Sequence, residues 1–476
     1  MTDQASARGE RPTAREGLSF RKPSRVAPAR REAAPFLEFF ERGFFIFSIA
    51  VFLGISTLGR TQDPSVSGEE HNILNTLFYC LVIAVGLLLL LLHRHAVVPV
   101  IANSKLIWLF FAWAVASLAW SIDPGLEVKR LILFSAPMVM ALYAASRFDP
   151  SIAIKLAGWA YFWTIAVSAV VAVLMPSIGV MHTSMAALKW ADLSEGAILE
   201  GDWCGILGHK NVLGFATIAN AQIFAWRWYV EKDKRWLFTF IILFGMFVTY
   251  KTHSATSALL VCLTLVSYFV LHVSRKAPRV RALIVFAAIV IGAAVTIAAV
   301  SLPEEFTALV GKDATLTGRV PIWIVLIRDV IPHHLMLGYG FNMFFILNNP
   351  AYLHLVDIVG WPAPHAHNGY LNLTVELGLP GALLGTFILL RLIFGAMRLV
   401  NDERAPWVLH VLVFSVTFAI LNLVESSLLR IADNWAFALL FCCFALWKYQ
   451  AEIRPKVGPA PRRWGAFTPK KHTELP

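Results

Sequence analysis

Long apolar runs recur through this 476-residue chain, and many of them approach the length that crosses a lipid bilayer. A transmembrane helix needs roughly 20 predominantly apolar residues, whereas the core helices of a soluble protein carry apolar segments of about 10–14 residues. The composition agrees, because 58% of the residues are apolar and only 15% are charged, against roughly 25% charged in an ordinary soluble domain. The sequence therefore predicts an all-α, polytopic membrane protein and disfavours a soluble helical one.

The apolar runs predict about twelve transmembrane helices. Their approximate bounds are 44–58, 73–92, 106–120, 131–146, 157–175, 212–230, 236–250, 255–273, 282–302, 376–399, 407–424 and 434–447. With this count both termini are cytoplasmic, and the strongly basic segments all fall on the cytoplasmic side, as the positive-inside rule requires. The net charge of +11 is therefore explained by topology, and no nucleic-acid partner is expected.

The chain divides into five regions by composition. These are a flexible basic tail (1–43), helices 1–9 (44–302), a large outer loop between helices 9 and 10 (303–375), helices 10–12 (376–449) and a second basic tail (450–476). Connections longer than about 15 residues are usually functional or disordered. The loop is rich in Trp, Tyr, His and Arg, and disordered segments are poor in aromatic residues. We therefore predict that the loop carries the active site.

Arg319 stands in this loop, immediately before Val320-Pro321-Ile322-Trp323. The proline predicts the first turn of an amphipathic helix, which we expect to lie along the membrane surface with Trp323 at headgroup depth. Arg319 itself has two interpretations. It pairs with a carboxylate or a lipid phosphate, or its planar guanidinium binds a substrate diphosphate through two parallel hydrogen bonds.

His365 and His367 lie two residues apart in the same loop, in Pro364-His-Ala-His-Asn368. This spacing differs from the i, i+4 spacing of helical metal sites, so we expect no bound metal. An imidazole is a suitable general base for a sugar hydroxyl near physiological pH. His367 is the preferred candidate for that base, and His365 is the less favoured one. Asn368 is expected to contribute to glycan binding.

Further basic residues gather at the outer ends of helices 6 to 8. Gly208-His209-Lys210-Asn211 precedes the sixth helix, and Asn211 is the predicted N-cap. A helix N-terminus with an adjacent lysine attracts anions, although a lysine at headgroup level explains Lys210 equally simply. Lys251 and His253 join helices 7 and 8, where no acid of a catalytic triad accompanies them. They are predicted to contact phosphate or to be structural.

These motifs resemble those of the O-antigen ligase and Wzy-type polymerase superfamily of bacterial envelopes. The resemblance rests on Trp120-Ser-Ile-Asp-Pro124, Gly208-His-Lys-Asn-Val-Leu-Gly214, His253-Ser-Ala-Thr-Ser257, Leu316-Thr-Gly-Arg-Val-Pro-Ile-Trp323, His365-Ala-His-Asn-Gly-Tyr370 and Glu376-Leu-Gly-Leu-Pro-Gly381. The order of the motifs, their topology and their common outer location carry it. The histidine-lysine pair at 209–210 is more similar to exopolysaccharide polymerases than to lipid A core ligases.

The resemblance implies a GT-C-like membrane fold and a metal-independent, inverting glycosyltransferase of the bacterial inner membrane. The implied donor is a glycan on undecaprenyl diphosphate, and the implied acceptor is a glycan hydroxyl. Carried onto this chain, Arg319 binds the diphosphate, His367 is catalytic and Lys210 is a second phosphate contact. His209, Asn211 and His365 are further expected contacts of the diphosphate or the glycan. No cofactor is implied. The implied partners are the lipid bilayer and, in the pathway, a flippase and chain-length regulators.

Two alternatives remain at this point. A ligase would transfer a finished polymer to lipid A core or to another acceptor by the same donor chemistry. A transporter or flippase would also fit the hydropathy, but transporters place polar residues near mid-membrane, whereas the polar motifs here gather in outer loops.

Overall fold

The computed structural model describes residues 35–54, 73–182, 201–274, 319–431 and 434–453, together with isolated positions between 277 and 290. The two predicted basic tails lie largely outside the described residues. The same holds for the outer loops 61–72 and 183–200, most of the predicted ninth helix and the Leu316-Thr-Gly318 turn.

Within the described residues the fold is helical, and one isolated antiparallel bridge joins Val180 to Trp203. The helices are α1 (Pro35–Phe52), α2 (Ile73–Leu92), α3 (Arg94–Asn103), α4 (Lys105–Ala116), α5 (Pro124–Arg147), α6 (Pro150–Leu174), α7 (Pro176–Gly179), α8 (Lys210–Val230), α9 (Arg235–Lys251), α10 (Ala255–Val273), α11 (Arg319–Val325), α12 (Pro350–Val359), α13 (Gly369–Leu399), α14 (Trp407–Val424) and α15 (Asn434–Ile453). This architecture confirms the predicted all-α polytopic class.

Six of the described helices are long and apolar enough to cross a membrane, namely α2, α5, α6, α13, α14 and α15. A seventh span is possible if α3 and the segment 105–119 are counted together, although they meet at an angle of 82°. The predicted third helix over 106–120 is present as α4 and the 3-10 turn Ser117–Ala119 that follows it. Ser104 lies at the bend that precedes α4, and its hydroxyl donates to the carbonyl of Val100, an arrangement that often bends helices.

Helix α14 lies at the centre of the bundle and α2 at its edge. In α14, 83% of the apolar window is buried by protein, against 28% in α2. A helix that is apolar all round is either buried in protein or faces lipid. Helix α14 packs against α13, α10 and α8, while α5 packs against α15 and α2. The C-terminal end of α14 is consequently surrounded by other elements, and this end holds the site described below.

Helix α13 breaks at Gly378, whose backbone has φ +66° and ψ −173°. The break admits residues 335–340, since Leu379 N donates to Leu335 O at 2.7 Å and Gly340 N donates to Glu376 O at 2.8 Å. The indole of Trp113 donates to the carbonyl of Leu377 at 2.9 Å. These bonds at the interruption attach residues 335–340 to α13. Helix α13 begins at Gly369, so the prediction that Glu376 starts this helix is wrong.

We expect the substitution Gly378→Ala to destabilise the protein by about 1–3 kcal/mol, because this region of backbone space is essentially restricted to glycine. An added Cβ would also lie 2.3 Å from the carbonyl oxygen of Met336. Thermal unfolding in detergent measures the effect. Gly125→Ala is the matched control, because its Cβ would make an ordinary contact at 3.4 Å. Equal unfolding midpoints for both variants would contradict the interpretation.

The described part of the large loop has its own apolar cluster, which includes Val320, Trp323, Phe344 and Tyr352. The helix predicted from Val320-Pro321 onward is present in α11 (Arg319–Val325), and it continues into a π-helix over Leu326–Val330. Trp323 is fully buried, with 0% of its surface exposed, so its predicted position at headgroup depth is wrong. The indole of Trp323 instead donates a hydrogen bond to the carbonyl of Ala366, elsewhere in the same loop.

Candidate active site

Glu425 is the residue on which the candidate site converges. It follows α14 directly as the C-cap, and its side chain is buried. One carboxylate oxygen lies 3.2 Å from Nη2 of Arg319 and 3.3 Å from Nδ1 of His367. The other oxygen lies 3.8 Å from Nε2 of His365. A cation and two imidazoles from separate segments therefore meet around one carboxylate.

The two histidines are positioned by the segment 365–368. The buried indole Nε1 of Trp323 donates to the carbonyl of Ala366 at 2.8 Å, and Ala366 N donates to the side chain of Asn372 at 3.1 Å. His367 has a left-handed backbone with φ +49°. Such a conformation is uncommon for a residue other than glycine and persists where the surroundings determine it. The segment 365–368 is therefore held by Trp323 of α11 and by Asn372 of α13.

Asn368 begins α13 as its N-cap. Its Oδ1 accepts hydrogen bonds from Tyr370 N and Leu371 N, each at 3.1 Å, and its Nδ2 donates to Leu423 O at 3.2 Å. The backbone N of Asn368 donates to Ser426 Oγ at 3.0 Å. These bonds explain Asn368 as a structural residue that ties the histidine segment to the end of α14. Asn368 lies at the site, but the amide group of its side chain is hydrogen-bonded to backbone groups of the protein.

The protonation of the site follows from burial and charge. Burial lowers the pKa of His365 well below its usual value, and the neighbouring His367 and arginines lower it further. His365 Nδ1 accepts a hydrogen bond from His367 N at 3.2 Å, as a neutral imidazole can. Burial alone would raise the pKa of Glu425, but His367, Arg319 and Arg430 outweigh it, so the pKa lies below its usual value and the carboxylate is ionised.

A second polar cluster lies around Asp202. Its carboxylate contacts Lys210 Nζ at 2.7 Å and His253 Nδ1 at 2.6 Å. An acid therefore does accompany His253, but it comes from a distant segment. Lys210 has a carboxylate partner, which offsets the charge it was predicted to offer to a phosphate.

His209 lies between the two clusters. Burial lowers the pKa of His209 to about 4, while Glu425 raises it and Lys210 and His367 lower it. Its Nδ1 accepts from Asn211 N at 3.1 Å, so His209 is the N-cap of α8 and the predicted capping by Asn211 is wrong. Asn211 Oδ1 accepts instead from Ser254 Oγ at 3.1 Å. His209 therefore caps α8, and Asn211 links the first turn of α8 to Ser254.

Lys251 takes a different position from the other predicted cations. Its ammonium lies 5.8 Å from the ring centre of Trp203 and 6.0 Å from those of Phe247 and Tyr250. Contacts of this kind stabilise a cation over aromatic faces. Its backbone carbonyl accepts from Trp203 N at 3.0 Å. Lys251 is thus part of the surroundings of the Asp202 cluster.

The ligand atoms of His365, His367 and Glu425 lie within 4.8 Å of one another, which is close enough to hold a metal ion. Two features oppose this use. Arg319 pairs with the same carboxylate oxygen that His367 approaches, and His365 Nδ1 is engaged by a backbone N–H. A divalent cation would have to displace or face a guanidinium. The expectation of no metal therefore stays a prediction.

Sequence reasoning missed Glu425, Asp202 and Arg430. Glu425 carried a signal, because a carboxylate directly after an apolar helix is unfavourable at the negative end of the helix dipole. Such a residue calls for a partner. Asp202 and Arg430 carried no motif, and their relevance comes from what they face in the folded chain.

Two comparisons with known proteins bear on the site. Residues 237–386 match a family model described as O-antigen ligase, a segment that contains Arg319, His365 and His367. The exopolysaccharide production protein ExoQ of Rhizobium meliloti (strain 1021) is 25% identical over 330 residues, which cover 67% of this chain and 71% of the relative. These matches confirm the resemblance to the O-antigen ligase and Wzy-type polymerase family that the motifs predict.

Proposed function

We propose that the protein is a glycosyltransferase that polymerises oligosaccharide repeat units carried on undecaprenyl diphosphate. The reaction takes place on the periplasmic side of the bacterial inner membrane, with both termini of the chain in the cytoplasm. The single observation that carries the proposal is the convergence of Arg319 and His367 on Glu425. A group that binds phosphate and a group that removes a proton thereby lie side by side.

His367 is the proposed general base. Its Nδ1 faces the ionised Glu425 at 3.3 Å, an arrangement in which Nδ1 donates and Nε2 keeps its lone pair. That nitrogen takes the proton of the acceptor hydroxyl as the hydroxyl oxygen attacks the anomeric carbon. The bond between that carbon and the diphosphate oxygen breaks, and the configuration inverts. Glu425 positions the ring and stabilises the imidazolium that forms, as a carboxylate does in other base-assisted sites.

Arg319 is proposed to hold the diphosphate as it leaves. The departing group carries its charge on phosphate oxygens, and preorganised cations stabilise such charge strongly in a site that excludes water. Arg319 also donates to the carbonyl of Val424. This bond fixes the guanidinium beside the base, so that donor and acceptor are held in line by the same frame. The reaction needs no metal in this scheme.

Polymerisation is preferred over ligation because the relative in Rhizobium meliloti is named for exopolysaccharide production. Ligation is the second candidate, since the matching family model is described as O-antigen ligase. Both use the same donor chemistry and differ in the acceptor. A flippase and chain-length regulators are proposed partners of a polymerase, and no nucleic acid is among its substrates.

Deletion of the gene separates these candidates by the intermediate that accumulates. A polymerase deletion should accumulate single repeat units on the lipid carrier in the periplasmic leaflet, measured by mass spectrometry of extracted lipids. Finished but unattached polymer would indicate a ligase. Repeat units confined to the cytoplasmic leaflet would indicate a flippase and would overturn the proposal.

Chelation of divalent metals should leave the activity within about twofold of the untreated value, because cations of the chain itself stabilise the leaving diphosphate. The measurement is glycan extension by the purified protein in EDTA, followed by back-titration with magnesium, manganese or zinc. Activity that disappears in EDTA and returns with one ion would assign the His365, His367 and Glu425 group to that metal.

A further inference from the structure

The segment that follows Glu425 is held in place up to Arg430. Ser426 Oγ accepts from Asn368 N at 3.0 Å, and Ser427 N donates to Asn422 Oδ1 at 3.0 Å. Leu428 and Leu429 are buried, with 3% and 1% of their surfaces exposed. Arg430 therefore follows a backbone that is held beside Glu425, and Arg430 itself is partly exposed.

Leu429, which precedes Arg430, has an unusual backbone conformation. Its φ is +56°, and the other described residues besides glycine with positive φ are His253, Asn342 and His367. Residues held in this region are strained and tend to cluster at active sites and ligand clamps. His367 belongs to the site, His253 to the adjoining Asp202 cluster, and Leu429 immediately precedes Arg430. The turn at Leu429 is therefore maintained against a conformational cost.

The charges of the site are unequally neutralised. Arg319 is paired with Glu425 at 3.2 Å, and Lys210 is paired with Asp202 at 2.7 Å. Arg430 is partly exposed, and its guanidinium makes neither a hydrogen bond nor an ion pair to the residues that the structure describes. Its charge nevertheless acts on the site, since it lowers the pKa of both Glu425 and His365.

A diphosphate ester carries about two negative charges at neutral pH, so one guanidinium already shared with a carboxylate leaves most of that charge unbalanced. A second guanidinium offers donors in a fork that matches phosphate oxygens. We propose that Arg430 is the second residue that holds the diphosphate of the lipid-linked donor, in place of Lys210. This inference rests on the function proposed above.

The affinities of the protein for two lipids show whether the inference about Arg430 fails or the proposed function fails. The protein is reconstituted in phosphatidylcholine nanodiscs, and its affinity is measured for undecaprenyl diphosphate and for undecaprenyl monophosphate. The wild type should prefer the diphosphate by about 10- to 100-fold, the range expected for hydrogen bonds to charged groups. Arg430→Ala should lose at least about tenfold of that preference while keeping its affinity for the monophosphate.

Arg430→Gln repeats the test with a side chain that keeps polar atoms and much of the length, which guards against a folding defect of the alanine variant. Arg404→Ala is the matched control, because Arg404 is exposed and pairs with Asp402 away from the site. A wild-type preference for the diphosphate in both Arg430 variants would overturn the inference and leave the proposed function standing. Absence of the preference in the wild type would overturn both.

Discussion

Replacement of His367 by alanine should reduce glycan extension by about 10²- to 10⁴-fold, the range that a positioned general base contributes. The substitution removes the imidazole that faces Glu425 at 3.3 Å, and with it the nitrogen proposed to take the proton of the acceptor hydroxyl. His365 cannot replace it, because its Nδ1 already accepts from a backbone N–H. The measurement is the rate of polymer formation from lipid-linked repeat units by the purified protein.

Two further variants isolate the chemical effect. His367 has φ +49°, a conformation that asparagine tolerates better than alanine, so His367→Asn separates loss of the base from backbone strain. His354→Ala removes an exposed histidine from α12 that lies near Asp329, and its activity should stay at the wild-type level. Near-wild-type extension by the folded asparagine variant would remove His367 from the mechanism.

Replacement of Arg319 by lysine should reduce extension by about 10²- to 10³-fold, as loss of a preorganised donor to a developing negative charge does. Lysine keeps the charge but loses the planar fork that matches phosphate oxygens. The guanidinium also contacts both Val424 O and Glu425, and a single ammonium is a poor replacement for both contacts. Steady-state kinetics with the lipid-linked donor measure the loss.

Arg328→Lys is the matched control for this effect. Arg328 lies in the π-helix that continues from α11 and is exposed, so its replacement should leave kcat/KM unchanged. Unfolding temperatures report whether either variant alters the fold. If the folded Arg319→Lys variant extends glycans at the wild-type rate, the two-pronged contact with diphosphate is wrong and a purely electrostatic role remains.

Local sequence rules located helices well and their connections less well. The bounds of α14 follow from its apolar run, and the presence of α11 follows from a proline near its first turn. The start of α13 was misplaced by seven residues, from Gly369 to Glu376, because the helix carries a break at Gly378. Residues 335–340 fill this break, and the only sign of it in the local sequence is a glycine.

The candidate site shows the same division. Arg319, His365 and His367 were predicted from residue type and loop context, and all three converge in the structure. Lys210 and Asn368 were predicted to contact substrate, but the structure gives each a protein partner. Lys210 pairs with Asp202, and Asn368 caps the N-terminus of α13. Partners that lie far along the chain contribute nothing to the local pattern around a residue.

The sequence by itself determined the membrane-spanning class of this chain, three of its candidate site residues and the family that it resembles. Those conclusions depend on hydropathy, spacing and residue type, all of which are local. Only the tertiary structure decided that one carboxylate, Glu425, joins the arginine to the histidines. A buried charge is stable only beside compensating groups, and packing of the end of α14 against two distant segments supplies them.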